Sequence, residues 1–130
     1  MRRASFVLTM LGLVIAASAT AAPVELLREV RHEAARRIVS GQLAATALDA
    51  ASLALTLPDG RRVVARRTHL DRTSRSTTWT GEVIDMPGSR VALTSHRATV
   101  TGVTDIDGQT YELRPDAADG RHLLVEVDTS

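Results

Sequence analysis

The sequence contains no cysteine and few aromatic residues: one Phe, one Trp and one Tyr among 130 residues. Without cysteine the chain has no disulfide, no thiolate metal site and no thiol nucleophile. Its basic residues are all arginine, and 16 basic against 15 acidic residues give a formal net charge of +1. This balance does not favour binding to nucleic acid or to an anionic membrane. A small domain without disulfides must be stabilised by its core, by a partner or by a larger assembly.

The amino terminus has the composition of a secretory signal. Arg2 and Arg3 precede the apolar run SFVLTMLGLVIAASA, and Ala19-Thr20-Ala21 supplies small residues of the kind that signal peptidase recognises. We predict that residues 1–21 are a signal peptide cleaved before Ala22, which leaves 130 − 21 = 109 residues, enough for one small domain. The apolar run is too short to span a bilayer, and no later segment is long enough. The mature product is therefore predicted to be secreted or periplasmic, with no membrane span.

Residues 22–50 are predicted to form an amphipathic helix followed by a linker. Gly41 would end the helix, and the small-residue stretch GQLAATALDAAS after it is compatible with either helical or irregular structure. Apolar residues recur in this region at steps of three and four, the spacing of one helical face: Leu27, Val30, Ala34 and Ile38.

The same region contains His32-Glu33, with Arg36 at the position where an H-E-x-x-H zinc protease carries its second histidine. A guanidinium has no lone pair to offer a metal ion, so this is not a zinc motif.

Asp105-Ile106-Asp107-Gly108 begins like a calcium loop but lacks the downstream acidic ligand, and we interpret it as a β-turn. No serine-nucleophile motif is present. We therefore predict no catalytic residue, no metal site and no cofactor, and we treat all four histidines as structural side chains: His32, His69, His96 and His122.

From residue 51 to residue 130 the apolar period changes to two, which is typical of strands. Pro58-Asp59-Gly60 supplies a turn, and further turn signals follow at regular spacing, so we predict an antiparallel meander arranged as a sandwich or a partly closed sheet. The segment RRVVARRTHLDR has arginine on both faces and is predicted to be an edge or solvent-facing strand. Burial is the expected use of Trp79 and Tyr111, since each removes a large area from water. The predicted inward-facing residues of the last strands include Trp79, Gly81, Val83, Val91, Leu93, Val100, Tyr111, Leu113, Leu123, Val125 and Val127.

Between Leu55 and Ser130 several short motifs occur in order: Leu57-Pro58-Asp59-Gly60-Arg61, Trp79-Thr80-Gly81, Pro87-Gly88-Ser89-Arg90-Val91-Ala92-Leu93-Thr94, Val100 with Gly102, Tyr111-Glu112-Leu113-Arg114-Pro115, and His122-Leu123 with Glu126 and Asp128. In this order the region resembles the amino-terminal propeptide of secreted bacterial reprolysin-like (metzincin) zinc metallopeptidases. The order of the pieces is more specific than any one of them.

In that family the propeptide precedes a zinc catalytic domain, and the resemblance implies a role in folding, latency or export of the peptidase. This chain stops at Ser130, about where the propeptide would lead into the enzyme. The resemblance therefore implies a non-catalytic, secreted domain that inhibits a metallopeptidase or assists its folding in trans, or a truncated propeptide. A cysteine-switch mechanism is excluded because there is no cysteine. The alternative is an extracellular or envelope β-domain that binds a glycan or a surface protein, for which exposed Trp79 and Tyr111 would be the best feature.

Overall fold

A computed structural model describes residues 22–44, 46–117 and 120–128. The predicted signal peptide, residues 1–21, lies outside the described residues. The described chain is mainly β, as the sequence predicts, with ten strands: β1 Val24–Glu25, β2 Leu27–Glu33, β3 Ile38–Leu43, β4 Ser52–Thr56, β5 Arg62–Arg72, β6 Ser76–Val83, β7 Arg90–His96, β8 Thr99–Ile106, β9 Gln109–Pro115 and β10 His122–Val127.

The helix predicted within residues 22–50 is wrong. This region forms β1, β2 and β3, with short 3-10 turns at Ala34–Arg36 and Ala47–Asp49. Strands β2 and β3 are an antiparallel hairpin, in which Arg37 closes the turn with a φ of 56°. The apolar residues that recur at helical spacing therefore lie on two strands and in the turn between them. A short isolated helix is marginal in water, whereas β1 and β3 gain hydrogen bonds by pairing with β4 and β10, far along the chain.

The strand order is β1-β4-β5-β6-β7-β8-β9-β10-β3-β2. Strands β4 to β10 are consecutive antiparallel neighbours, which confirms the predicted meander. The two ends of this order, β1 and β2, are separated only by Leu26. The Leu26 N–H donates to the Ala54 carbonyl (2.9 Å), and the Ala44 N–H donates to the Leu26 carbonyl (3.1 Å). One chain segment therefore joins both ends, and the sheet closes on itself.

Strand β5 was predicted to be an edge or solvent-facing strand, and it is solvent-facing on one side but is not an edge strand. It pairs with β4 on one side and with β6 on the other. Val63 and Ala65 are buried inside the closed sheet, whereas Arg62 and Arg66 are exposed on its outer surface. In a closed sheet even a central strand has one face in water, so arginine on β5 does not indicate an edge.

The core occupies the interior of the closed sheet and is largely aliphatic. Trp79 and Tyr111 are 0% and 1% exposed, which confirms their predicted burial. The Trp79 Nε1–H donates to the Ala50 carbonyl at 2.8 Å, so the indole has its polar partner. Its ring lies over Gly81, where an added Cβ would approach a ring carbon to 2.6 Å and would also collide with the Arg66 carbonyl. The Trp79-Thr80-Gly81 motif therefore has a packing explanation.

The turns of the meander alternate between two ends of the molecule. The β4–β5 and β8–β9 turns meet at one end, where Arg61 Nε donates to Asp59 (2.8 Å) and Arg61 Nη1 lies 3.4 Å from Asp107. The Asp59 carboxylate also accepts the Arg61 N–H at 2.9 Å. Burial acts to raise the pKa of Asp59, but the backbone N–H and guanidinium of Arg61 lower it below the ordinary value. The β3–β4, β5–β6, β7–β8 and β9–β10 connections meet at the other end, which we call the pocket end.

Candidate functional site

A pocket of about 630 Å³ opens at the pocket end, within the usual range of about 300–1,000 Å³ for small-molecule sites. The β3–β4 connection forms one wall, and the β7–β8 turn and the start of β10 form another. The Ala47–Asp49 turn crosses this end of the sheet with Ala47 and Leu48 buried. The bond from Trp79 to the Ala50 carbonyl anchors that turn to the core, so its small side chains form a fixed apolar floor.

His122 lies on the inner face of β10 at the pocket wall and is 5% exposed. Its Nε2 accepts the Val100 N–H at 3.1 Å. The β8–β9 ladder ends at Gly102 and Leu113, so strand pairing leaves the Val100 N–H for the imidazole to accept. The proton of the neutral ring must then be on Nδ1. Nδ1 is buried and has no hydrogen-bond partner among the described residues.

Burial lowers the pKa of His122 below its ordinary value of 6.5. Two effects act together, because the imidazolium would be a charge in an apolar environment and would have no lone pair for the Val100 N–H. The ring is therefore neutral at pH 7. In this form it accepts one backbone hydrogen bond and has one N–H donor to spare.

Arg121, the residue before His122, is also buried and also lines the pocket. Its Nη2 donates to the Glu29 carbonyl (2.6 Å) and lies 3.3 Å from the Ser40 carbonyl. Glu29 has a φ of 52° and lies in the register shift between Arg28 and Arg31 on β2. Arg121 thus stabilises an irregular part of β2 and places a positive charge in the pocket wall.

The rim of the pocket carries Arg97 and Asp49, which differ in their pairing. Asp49 Oδ1 accepts a hydrogen bond from Arg72 Nη2 at 2.8 Å, so its charge is balanced. Arg97 is exposed, has a φ of 61° in the β7–β8 turn, and belongs to no hydrogen bond or ion pair with the described residues. A shallow groove beside it contains Arg75 and His96. The rim is therefore positively charged.

The other histidines do not converge on this pocket or on one another. His32, His69 and His96 are exposed on β2, β5 and β7. Glu33 pairs with Arg36 at 3.0 Å in the turn between β2 and β3, so His32-Glu33 is part of a hairpin. Across residues 22–44, 46–117 and 120–128 no group of three or more His, Asp or Glu side chains is arranged to hold a metal ion.

The segment interpreted as a β-turn rather than a calcium loop is the β8–β9 turn, which confirms the interpretation. Asp107 and Gly108 adopt φ angles of 51° and 78°. The Asp105 carboxylate accepts a hydrogen bond from the Thr110 hydroxyl at 2.8 Å. Both features are local to the hairpin.

Sequence reasoning missed the pocket because it assigned the wrong face of β10 to the core. Leu123, Val125 and Val127 were predicted to face inward, but they are only half-buried, whereas His122 and Leu124 are buried. In HLLVEV both alternating sets contain apolar residues, so the period of two leaves the inner face undecided. Nothing in the sequence beyond its position in a short turn pointed to Arg97, which has no ion-pair partner in the part of the chain that the structure describes.

No protein-family model, curated protein or solved structure matches this chain. In the part of the chain that the structure describes, no helix has the length and hydrophobicity needed to cross a membrane.

Proposed function

We propose that this chain is a secreted, non-catalytic, propeptide-like domain that binds a zinc metallopeptidase in trans and inhibits it or assists its folding. The proposal rests on the ordered resemblance of residues 55–130 to metzincin propeptides. One observation supports treating that region as a folded unit: its motifs form turns and core positions of a single closed sheet. The Leu57–Arg61 motif is the β4–β5 turn, Trp79 covers Gly81, and Ser89 Oγ accepts the Val83 N–H at 2.8 Å beside the β6–β7 turn.

Strand β2 offers a surface for such a partner. It is the last strand of the sheet order and pairs with β3 alone. Arg31, His32 and Glu33 are exposed along it. An extended segment of a partner can add to an unpaired strand edge through backbone hydrogen bonds. The β2 edge is therefore the contact surface that we propose for the peptidase.

The test is to recover secreted proteins on the immobilised chain, identify them by mass spectrometry, and assay any recovered zinc metallopeptidase. Micromolar chain is expected to lower the activity of the peptidase or to raise its refolding yield. Hydrogen exchange of the complex should then show new protection at β2 and none at the β6–β7 turn. A cognate peptidase whose activity and refolding are both unchanged would refute the trans-acting role.

The alternative of a glycan- or surface-protein-binding domain has lost the feature that favoured it. Trp79 and Tyr111 are both buried in the core, so neither can form an exposed aromatic platform. An envelope domain of this kind would have to use the pocket instead, and the described residues that line the pocket include no Trp, Tyr or Phe.

A further inference from the structure

We propose that the pocket at the β7–β8 turn binds a small organic carboxylate, with Arg97 as the contact for the carboxylate and the β3–β4 connection as the contact for an apolar body. This inference is independent of the metallopeptidase proposal, because it concerns a small ligand in a pocket whose lining includes no residue of β2. It rests on the pairing of the charges at the rim, the chemistry of the floor and the position of Arg97.

The position of Arg97 at the pocket distinguishes it from the other arginines that no carboxylate holds. Six arginines are held by carboxylates at distances between 2.5 and 3.3 Å: Arg36, Arg37, Arg61, Arg62, Arg72 and Arg114. Arg97 has no such partner among the described residues and lies directly at the pocket. A guanidinium presents parallel N–H donors that match the two oxygens of a carboxylate. A carboxylate ligand would supply the partner that Arg97 lacks.

The charge of the rim selects an anion. Asp49 is the acidic residue among the pocket-lining residues, and Arg72 balances it. Arg75, in the adjoining groove, has no ion pair with a described residue. Among the described residues, an anion at the mouth therefore meets the unpaired charges of Arg97 and Arg75, which raise its local concentration.

The floor selects a ligand with an apolar body. Ala44, Ala47, Leu48 and Val100 line the pocket but are nearly buried, and Leu43 beside them is half-buried. The apolar surface they offer is small, and an inorganic anion would leave it uncovered. A ligand of a few carbon atoms would cover it and keep its carboxylate at the rim, which is the usual division of polar and apolar contacts in small-molecule sites.

The β7–β8 turn fixes where Arg97 lies. Only residues 97–98 separate β7 from β8, and Arg97 adopts a φ of 61° in this tight turn. A residue with a side chain at this φ costs of order 1 kcal/mol relative to glycine or asparagine, which adopt this region readily. The turn places Arg97 among the residues that line the pocket.

His122 belongs to the pocket wall, and we do not assign it a direct contact with the carboxylate of the ligand. Its Nδ1–H lacks an acceptor among the described residues, but the atom is covered. A ligand oxygen reaches it only if neighbouring side chains at the floor move. We therefore assign the carboxylate to Arg97 and use Arg97 in the test.

The test is a titration of the full chain at pH 7.5, followed by calorimetry and by ¹H–¹⁵N NMR. Four probes separate the two parts of the proposed ligand: hexanoate has a carboxylate and an apolar body, acetate has mainly the carboxylate, hexan-1-ol has only the body, and inorganic phosphate is an anion without a body. Hexanoate is expected to bind saturably and more tightly than the other three. Its NMR shifts should fall at residues 43, 44, 46–48, 97–100 and 122.

The variant Arg97→Gln removes the charge, and Arg90→Gln is the matched control on the same strand pair. Arg90 is exposed at the far end of β7 and has no ion pair with a described residue. Arg97→Gln should weaken hexanoate binding by about tenfold or more, the effect of losing a charge-assisted contact, and Arg90→Gln should leave it unchanged. Each of three results would overturn the proposal: no saturable binding of hexanoate, equal binding of hexan-1-ol or phosphate, or equal loss in both variants.

Discussion

Replacing His122 by leucine tests the central contact of the pocket wall. Leucine has about the volume of histidine but no acceptor, so the Val100 N–H, bonded to Nε2 at 3.1 Å, is left buried and unpaired. Such a loss costs about 1–3 kcal/mol. The replacement also removes the unpartnered Nδ1–H, which offsets part of that cost. We expect His122→Leu to lower the free energy of unfolding at pH 7.5 by about 1–2 kcal/mol.

The pH dependence of this loss is the more specific part of the prediction. Burial lowers the pKa of His122 in the native state, while in the unfolded chain it titrates near 6.5. Below pH 6.5 the unfolded state therefore binds the proton first, and stability falls with pH by up to about 1.4 kcal/mol per unit until the native ring is also protonated. Above pH 6.5 the neutral His122 ring makes its full contribution to the free energy of unfolding. The leucine variant lacks this group, so its deficit should shrink as the pH falls from 7.5 to 5.

The assay is urea unfolding of wild type, His122→Leu and the control His96→Leu between pH 5 and pH 8. His96 is exposed on β7, so its replacement should leave the free energy of unfolding nearly unchanged. A variant His122→Leu that is as stable as wild type at pH 7.5 would show that the Val100 contact is not important. A deficit of the same size at every pH would show that the native imidazole is not kept neutral.

Three further predictions concern the closed sheet. Gly81→Ala should lower the free energy of unfolding by at least about 2 kcal/mol in a denaturant titration, because the new methyl meets the Trp79 ring and the Arg66 carbonyl; a neutral effect would mean that the ring moves aside. The emission of Trp79, which is 0% exposed, should be blue-shifted and resistant to iodide, and efficient quenching would contradict its burial. Asp59→Asn should destabilise the β4–β5 turn at pH 7 by less than about 1 kcal/mol, because the site is exposed. Since Arg61 lowers the pKa of Asp59, this difference should be present above the ordinary value of 3.8 and vanish as pH falls below it, and a difference that persists at pH 2 would argue against the ionic contact.

Local signals were sufficient for the meander and its turns. Pro58-Asp59-Gly60 and Asp107-Gly108 form turns because their backbone preferences are set by the residues themselves. Gly60 and Gly108 adopt φ angles of 94° and 78°, which side chains disfavour. Alternation of apolar residues placed Leu53, Leu55 and Leu57 in the core, and with so few aromatic residues the burial of Trp79 was predictable as well.

Local signals failed where two structures satisfy the same pattern. The spacing of apolar residues in 22–50 fits one helical face, yet Leu27 and Ile38 lie on different strands of a hairpin. The choice is made by β4 and β10, whose backbone groups pair with β1 and β3. Similarly, arginine on β5 was compatible with an edge until closure of the sheet provided a solvated outer face for a central strand.

By itself, the sequence of this protein determined the strand-rich class, the order of the meander and the places where it turns, because these depend on neighbours within a few residues. Only the tertiary structure decided that the sheet closes through Leu26, that His122 rather than Leu123 faces inward, and that Arg97 lines a pocket without an ion-pair partner among the described residues. The physical reason is that hydrogen bonds and burial at these positions come from strands far apart in the chain. A local sequence pattern therefore does not determine these interactions, which form only when the sheet has closed.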